Sequence, residues 1–183
     1  MTQVLVPIAN GSEDIEAVTI IDVLRRGGAE VTVASVHDDK QITAANGCKI
    51  EADVLIGDVA EQMYDAIVLP GGMPGAEHLR DSKVLVDLLE KHDIQDALIA
   101  AICAAPAVVL GTHGFVMDKQ ATCYPGFEDG LKGADYQADQ PIVMDDNIIT
   151  AQGPAMAMAF ALAVLANLKG IEVTEETAQG LLC

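Results

Sequence analysis

The chain has 183 residues, with 28 acidic side chains against 10 basic ones and a net charge of −18 at neutral pH. That balance excludes a nucleic-acid binder, since phosphates are held by Lys and Arg, and it offers acidic metabolites no electrostatic attraction. The length suits one domain over 1–183, with a core drawn from the 51% of residues that are hydrophobic and few of the 3% that are aromatic.

Cys48, Cys103, Cys123 and Cys183 show no C-x-x-C spacing, so neither a zinc framework nor a disulfide scaffold is expected. No H-E-x-x-H, P-loop or G-x-G-x-x-G motif occurs, and no metal or cofactor is expected. No basic segment precedes the first apolar run, which points to a cytoplasmic protein without a signal peptide.

Gln3–Ala9 reads as a buried strand. Ser12 reads as the N-cap of a helix with Glu13, Asp14 and Glu16 in its first turn. Ile15, Val18, Thr19, Ile21, Asp22, Val23 and Leu24 carry its helical pattern, and Arg25-Arg26 with Gly27-Gly28 end it. Glu30–Val36 then completes a βαβ unit. Asn46-Gly47 has the composition of a two-residue hairpin centre between Gln41–Ala45 and Cys48–Glu51. Ala52–Gly57 is short and strand-like. Ala66–Leu69 is a buried strand leading into Pro70-Gly71-Gly72-Met73-Pro74-Gly75. Glu77–Leu79 and Ser82–His92 are helical, with Ser82 as a cap.

The stretch Ala97–Leu110 joins an apolar strand to a small-residue helix, with Cys103 between them. Its unbroken apolar run fits a central parallel strand, and Pro106 is tolerated in a first helical turn. Ala101 and Ala105 keep bulk away from a tight strand-to-helix turn. A helix start there favours the thiolate, so an acidic thiol is expected. A buried structural cysteine fits the same residues. Further on come a strand at Gln120–Cys123, a turn at Tyr124-Pro125-Gly126 and a short helix about Glu128–Leu131. Strands follow at Pro141–Met144 and Ile148–Ala151. The apolar run Pro154–Leu168 is too short to span a membrane and reads as a buried helix, with a last helix at Val173–Leu181.

Alternating strands and helices predict an α/β fold, an open, mostly parallel sheet with helices on both faces. Ligands bind such sheets at the carboxyl ends of the strands. Asn10–Glu16, Gly71-Gly72, Cys103 and Gln152-Gly153 all fall there. Gly71-Gly72 reads either as a turn or as half of an oxyanion hole, and Glu16 either as a solvated helix-start carboxylate or as a site residue. His37 and His92 read as surface residues, and neither His78 nor His113 has the neighbours of a catalytic base.

Gly11-Ser12-Glu13-Asp14-Ile15-Glu16, Val68-Leu69-Pro70-Gly71-Gly72, Ala100-Ala101-Ile102-Cys103-Ala104-Ala105-Pro106 and Gln152-Gly153-Pro154 together resemble the ThiJ/PfpI superfamily, and within it the DJ-one-like branch. The resemblance implies a flavodoxin-like fold, a homodimer and a reactive, oxidisable Cys103 on a nucleophile elbow. It implies a protonated Glu16 hydrogen-bonded to the sulfur, and backbone N–H groups of Gly72 and Ala104 that stabilise an oxyanion or a sulfinate. The activity it implies is protection against reactive aldehydes such as methylglyoxal or their early protein adducts, of the glyoxalase III or deglycase type. The alternative it leaves is a redox sensor or chaperone-like dimer responding to oxidants.

Two departures stand out. The human member of the branch carries a histidine where this chain has Cys123-Tyr124-Pro125, which makes Tyr124 the accessory candidate. It carries an arginine where this chain has Asn46-Gly47-Cys48. The protease-like branch follows its cysteine with a histidine, whereas Ala104 follows here, so a peptidase is the less favoured branch.

Overall fold

Period-two alternation in the apolar strands decides which side chains meet which helices. The computed structural model describes residues 1–183. In β1 (Gln3–Ile8), Val4, Val6 and Ile8 face one layer of helices and Leu5 the other. In β7 (Leu98–Ile102), Ala100 and Ile102 share the first face, and Ile99 and Ala101 the second. Both strands are buried along nearly their whole length, which is why they read as continuous apolar runs rather than alternating ones.

The remaining strands of the main sheet are β2 (Glu30–Ser35), β5 (Val54–Leu55), β6 (Ala66–Leu69), β10 (Ile142–Asp145) and β11 (Ile148–Ala151). They form one seven-stranded sheet in the order β10-β11-β7-β6-β1-β2-β5. Every pairing is parallel except β10 with β11. This is the α/β, flavodoxin-like architecture that the sequence predicts. One layer is built on α1 (Asp14–Arg26) and α4 (Ala157–Lys169), the other on α2 (Gly75–Asp81) and α3 (Lys83–Ile94). A last helix, α5 (Ile171–Leu181), packs on α4. No helix is long and apolar enough to cross a membrane.

Several local expectations differ. The hairpin of β3 (Gln41–Thr43) and β4 (Lys49–Glu51) turns through three residues rather than two. Ala44 N–H donates to Cys48 O at 2.8 Å, and Gly47 takes the left-handed position at φ 97°, as in a bulged hairpin turn. Ala52–Gly57 yields only the two residues of β5 before a 3-10 turn at Ile56–Val59. β8 (Gln120–Ala121) finds an unforeseen partner in β9 (Asp135–Tyr136). The helix after Cys103 is π-wound over Pro106–Gly111, the kind of insertion that gathers at functional sites. Gly111 is required there, because a Cβ would stand 2.0 Å from Gly130 O.

Phe160 is the bulkiest fully buried side chain. Phe160→Ala is expected to lower stability by about 3–5 kcal/mol, read as the urea midpoint by circular dichroism. Met144→Ala, at a 54% exposed position, is expected to stay within about 0.5 kcal/mol.

Candidate functional site

Where β7 ends, Cys103 turns the chain with φ 65°, a left-handed conformation that L-residues adopt at a cost of about 1–2 kcal/mol. Two hydrogen bonds hold it. Its N–H donates to Ala151 O at 2.9 Å, and its C=O accepts from Tyr124 N–H at 2.8 Å. Ala101 and Ala105 flank it, both fully buried. The residue is 8% exposed, so the thiol is recessed.

Gly71 and Gly72 follow β6, the neighbour of β7. A Cβ on Gly71 would stand 2.6 Å from Cys103 Cβ; one on Gly72, where φ is 87°, would stand 2.4 Å from Glu13 N. Only glycine brings this peptide so close. The backbone N–H groups of Gly72 and Ala104 act on the Cys103 sulfur and favour its anion.

Glu16 comes from the first turn of α1 and is fully buried. The buried face of that helix is Glu16, Ala17, Ile20, Val23 and Leu24; Ile15 and Val18, which carry the helical pattern in the sequence, point outward. Glu13, not Ser12, is the N-cap: its Oε2 accepts Glu16 N–H at 2.8 Å. Ser12 turns inward, and its hydroxyl accepts Ala9 N–H at 3.0 Å. Glu16 Oε2 accepts Gly71 N–H at 2.8 Å, while Oε1 has no partner of its own. That free oxygen is where a proton can sit.

Burial pushes the Glu16 carboxyl up to about 7, helped by the charge on Glu13 and opposed by the Gly71 N–H and the Cys103 thiol. Burial likewise pushes the Cys103 thiol up to about 12, and a charged Glu16 adds to the rise, against the pull of the Gly72 and Ala104 N–H groups. The acidic thiol expected from the helix start is therefore not found beside an ionised Glu16: desolvation outweighs the two donors. The two groups titrate as a pair, with one proton to share between about 7 and about 12.

Asp14 performs a task the sequence did not signal. Its carboxylate accepts Asn46 N–H at 2.7 Å and Cys48 N–H at 3.1 Å, tying the hairpin tip to the start of α1. Burial opposes its charge, but hydrogen bonds from the main chains and side chains of Asn46 and Cys48 prevail and hold it at about 2. Tyr124 reaches the elbow through its main chain; its ring is 45% exposed, and its hydroxyl makes no hydrogen bond within the chain. No histidine bonds to Cys103 or Glu16. His37 Nε2 accepts Asn10 N–H, and His113 Nε2 pairs with Arg80 O. His92, expected at the surface, is fully buried against Tyr64 and Leu88 O.

The chain matches the DJ-1/PfpI family model over residues 2–167. It is 42% identical to protein DJ-1 homolog B of Arabidopsis thaliana over 180 residues, covering 98% of this chain and 41% of that protein; it thus spans less than half of that relative. It is 37% identical to the Caenorhabditis elegans protein named glutathione-independent glyoxalase DJR-1.2, covering 89% of this chain and 86% of that one. The solved structure of oxidised DJ-1 from Toxoplasma gondii superposes with a TM-score of 0.96 at 46% identity, over 100% of this chain and 98% of the other.

A carboxyl raised from 4.5 to about 7 affects stability with a definite sign. Below pH 4.5 it is neutral in both states. Between 4.5 and 7 the unfolded chain gives up the proton that the folded chain keeps, so stability falls as pH rises, by about 3 kcal/mol in all. Glu16→Gln removes this fall. Its urea midpoint is expected to gain on that of wild type from pH 5 to pH 8, and parallel pH profiles would contradict the raised carboxyl.

Proposed function

The chain belongs to the DJ-1/PfpI family, and from that premise we propose that it is a cysteine-dependent protective protein acting in the cytoplasm on small reactive aldehydes such as methylglyoxal, or on their early protein adducts. The observation that carries this reading is the pairing at the elbow. A recessed thiol lies under two N–H donors and beside a carboxyl that changes protonation near neutral pH. The glyoxalase name of the nematode relative supports it.

The chemistry needs only these groups. In the singly protonated pair the proton rests on the sulfur, and Glu16, as the carboxylate, takes it from the thiol as the sulfur becomes the nucleophile. The sulfur attacks the aldehyde carbon, a C–S bond forms, and the carbonyl electrons move to oxygen, which the Gly72 and Ala104 N–H groups receive. Glu16 hands its proton to that oxygen, giving a hemithioacetal. As a carboxylate it then takes the former aldehyde hydrogen as a proton and returns it to the adjacent carbon, while the hydroxyl proton passes to that carbon's oxygen, which leaves a thioester. Water cleaves the thioester to a 2-hydroxy acid and restores the thiol. Methylglyoxal plus water becomes lactate, with no net oxidation or reduction. Tyr124 stands where an imidazole could have served, so the proton work falls to Glu16 alone.

Oxidation sensing is the second reading. It is favoured by the same N–H pair, which suits sulfinate oxygens, and by a structural relative solved in oxidised form. In either reading the protein works as a homodimer. The exposed Val18 of α1 lies with Ile21 and the hairpin's Ile50 in one surface cleft, and the exposed Ile15 adds apolar area on the same helix, a face suited to self-pairing about a two-fold axis.

Methylglyoxal consumption is expected to fall to the uncatalysed rate in Cys103→Ser and by about 100-fold or more in Glu16→Leu. Undiminished turnover in Cys103→Ser would overturn the enzymatic reading. Peroxide followed by peptide mass spectrometry then separates out the sensor, which requires Cys103 to gain oxygen before Cys48, Cys123 or Cys183. Sedimentation at micromolar concentration is expected to show a dimer, shifted toward monomer by Val18→Asp.

A further inference from the structure

The elbow is bound on both flanks to the walls of a second feature. Ala151, which accepts the Cys103 N–H, continues into Gln152-Gly153-Pro154. Tyr124, which donates to the Cys103 C=O, continues into Pro125. Together with Met156, these segments line an open cleft of about 210 Å³, the space of roughly seven waters at about 30 Å³ each. No charged side chain lines it.

Tyr124 is set to present an aromatic face there. Its ring lies against the main chain of Gly153, where a Cβ would stand 3.1 Å from Tyr124 Cδ2. Phe127 meets it edge-on at 6.3 Å between centroids. Packed on two sides yet 45% exposed, the ring is a held surface rather than a loose one. The surrounding charge has one sign. Glu128 Oε2 accepts the Gly126 N–H at 2.6 Å beyond Pro125, Glu16 lies on the sulfur side, and no Lys or Arg bonds to Cys103, Glu16, Tyr124 or the cleft.

We infer that this cleft receives the substituent carried by an α-oxoaldehyde bound at Cys103, and that Tyr124 sets the preference for neutral, flat, apolar substituents over anionic ones. The inference rests on the aldehyde reading above. An apolar ring stacks on the Tyr124 face, whereas a carboxylate finds no cation and two acidic neighbours.

The test compares kcat/KM for phenylglyoxal, methylglyoxal and 4-carboxyphenylglyoxal, which places a carboxylate on the same α-oxoaldehyde. Wild type is expected to prefer phenylglyoxal to methylglyoxal and to use the carboxylated substrate least. Tyr124→Ala is expected to lower the phenylglyoxal-to-methylglyoxal ratio by about fivefold, the size of one aromatic contact. Tyr124→Phe is expected to restore it, since the ring face and not the hydroxyl is the determinant. Gly153→Ala, at an extended position with φ 174°, is expected to lower the ratio by displacing the ring. Equal effects of Tyr124→Ala on both substrates, or a Tyr124→Phe that behaves like Tyr124→Ala, would overturn the inference while leaving Cys103-dependent turnover intact. Turnover that survives Cys103→Ser would instead remove the reading on which it rests.

Discussion

A left-handed cysteine at the end of a central strand is the constraint on which the rest of the site depends. An L-residue keeps φ 65° only if its surroundings outweigh the strain, and at Cys103 they do so with main chain on either side. The strand order makes this work. β7 lies between β6 and β11, so one neighbour delivers Gly71-Gly72 and the other delivers Ala151. β1, on the far side of β6, delivers the loop into α1 and with it Glu16. Four consecutive strands of a parallel sheet end at one edge, and each contributes one part.

The proton balance follows from the same crowding. Glu16 is buried with a single backbone donor and one free oxygen, a poor environment for a charge. Cys103 is buried beside it under two donors. Each anion is disfavoured alone, and the second is disfavoured further by the first, so the pair holds a proton across the neutral range. A core of fully buried Val, Leu and Ile around β1, β6 and β7 carries the cost of this arrangement. The site is a destabilised spot in a well-packed sheet, as sites built for reactivity often are.

The sheet and the elbow were legible because they are local. Apolar runs give buried strands, and a strand, a cysteine and a proline-started helix give a sharp turn within one segment. The face of α1 was not legible. Ile15 and Val18 satisfy a helical pattern as well as the true core positions do, and the helix start is oriented by groups distant in sequence: Gly71 O accepting Glu13 N–H, and Asp14 gripping the hairpin tip. Ser12 resembles a cap by residue type alone, while Glu13 caps because its side chain lies over the Glu16 N–H. The thiol was misjudged for a related reason: a helix start is written in the sequence, but the depth at which it lies is not. His92 looked like a helix-end residue at the surface until the segment carrying Tyr64 closed over it.

The sheet's two margins bear on how the molecule behaves in a crowd. An open sheet offers unpaired N–H and C=O groups at its outermost strands, a template on which other chains can add and polymerise. Here one margin is β5, only two residues long before the backbone coils into a 3-10 turn, too short to seed a growing fibril. The other is β10, antiparallel to its one neighbour β11 and ending at Asp145, whose carboxylate is occupied by the Gln120 N–H at 2.7 Å. With a surface of net charge −18 repelling like copies as well, the fold can remain dispersed at high abundance without a dedicated strand guard.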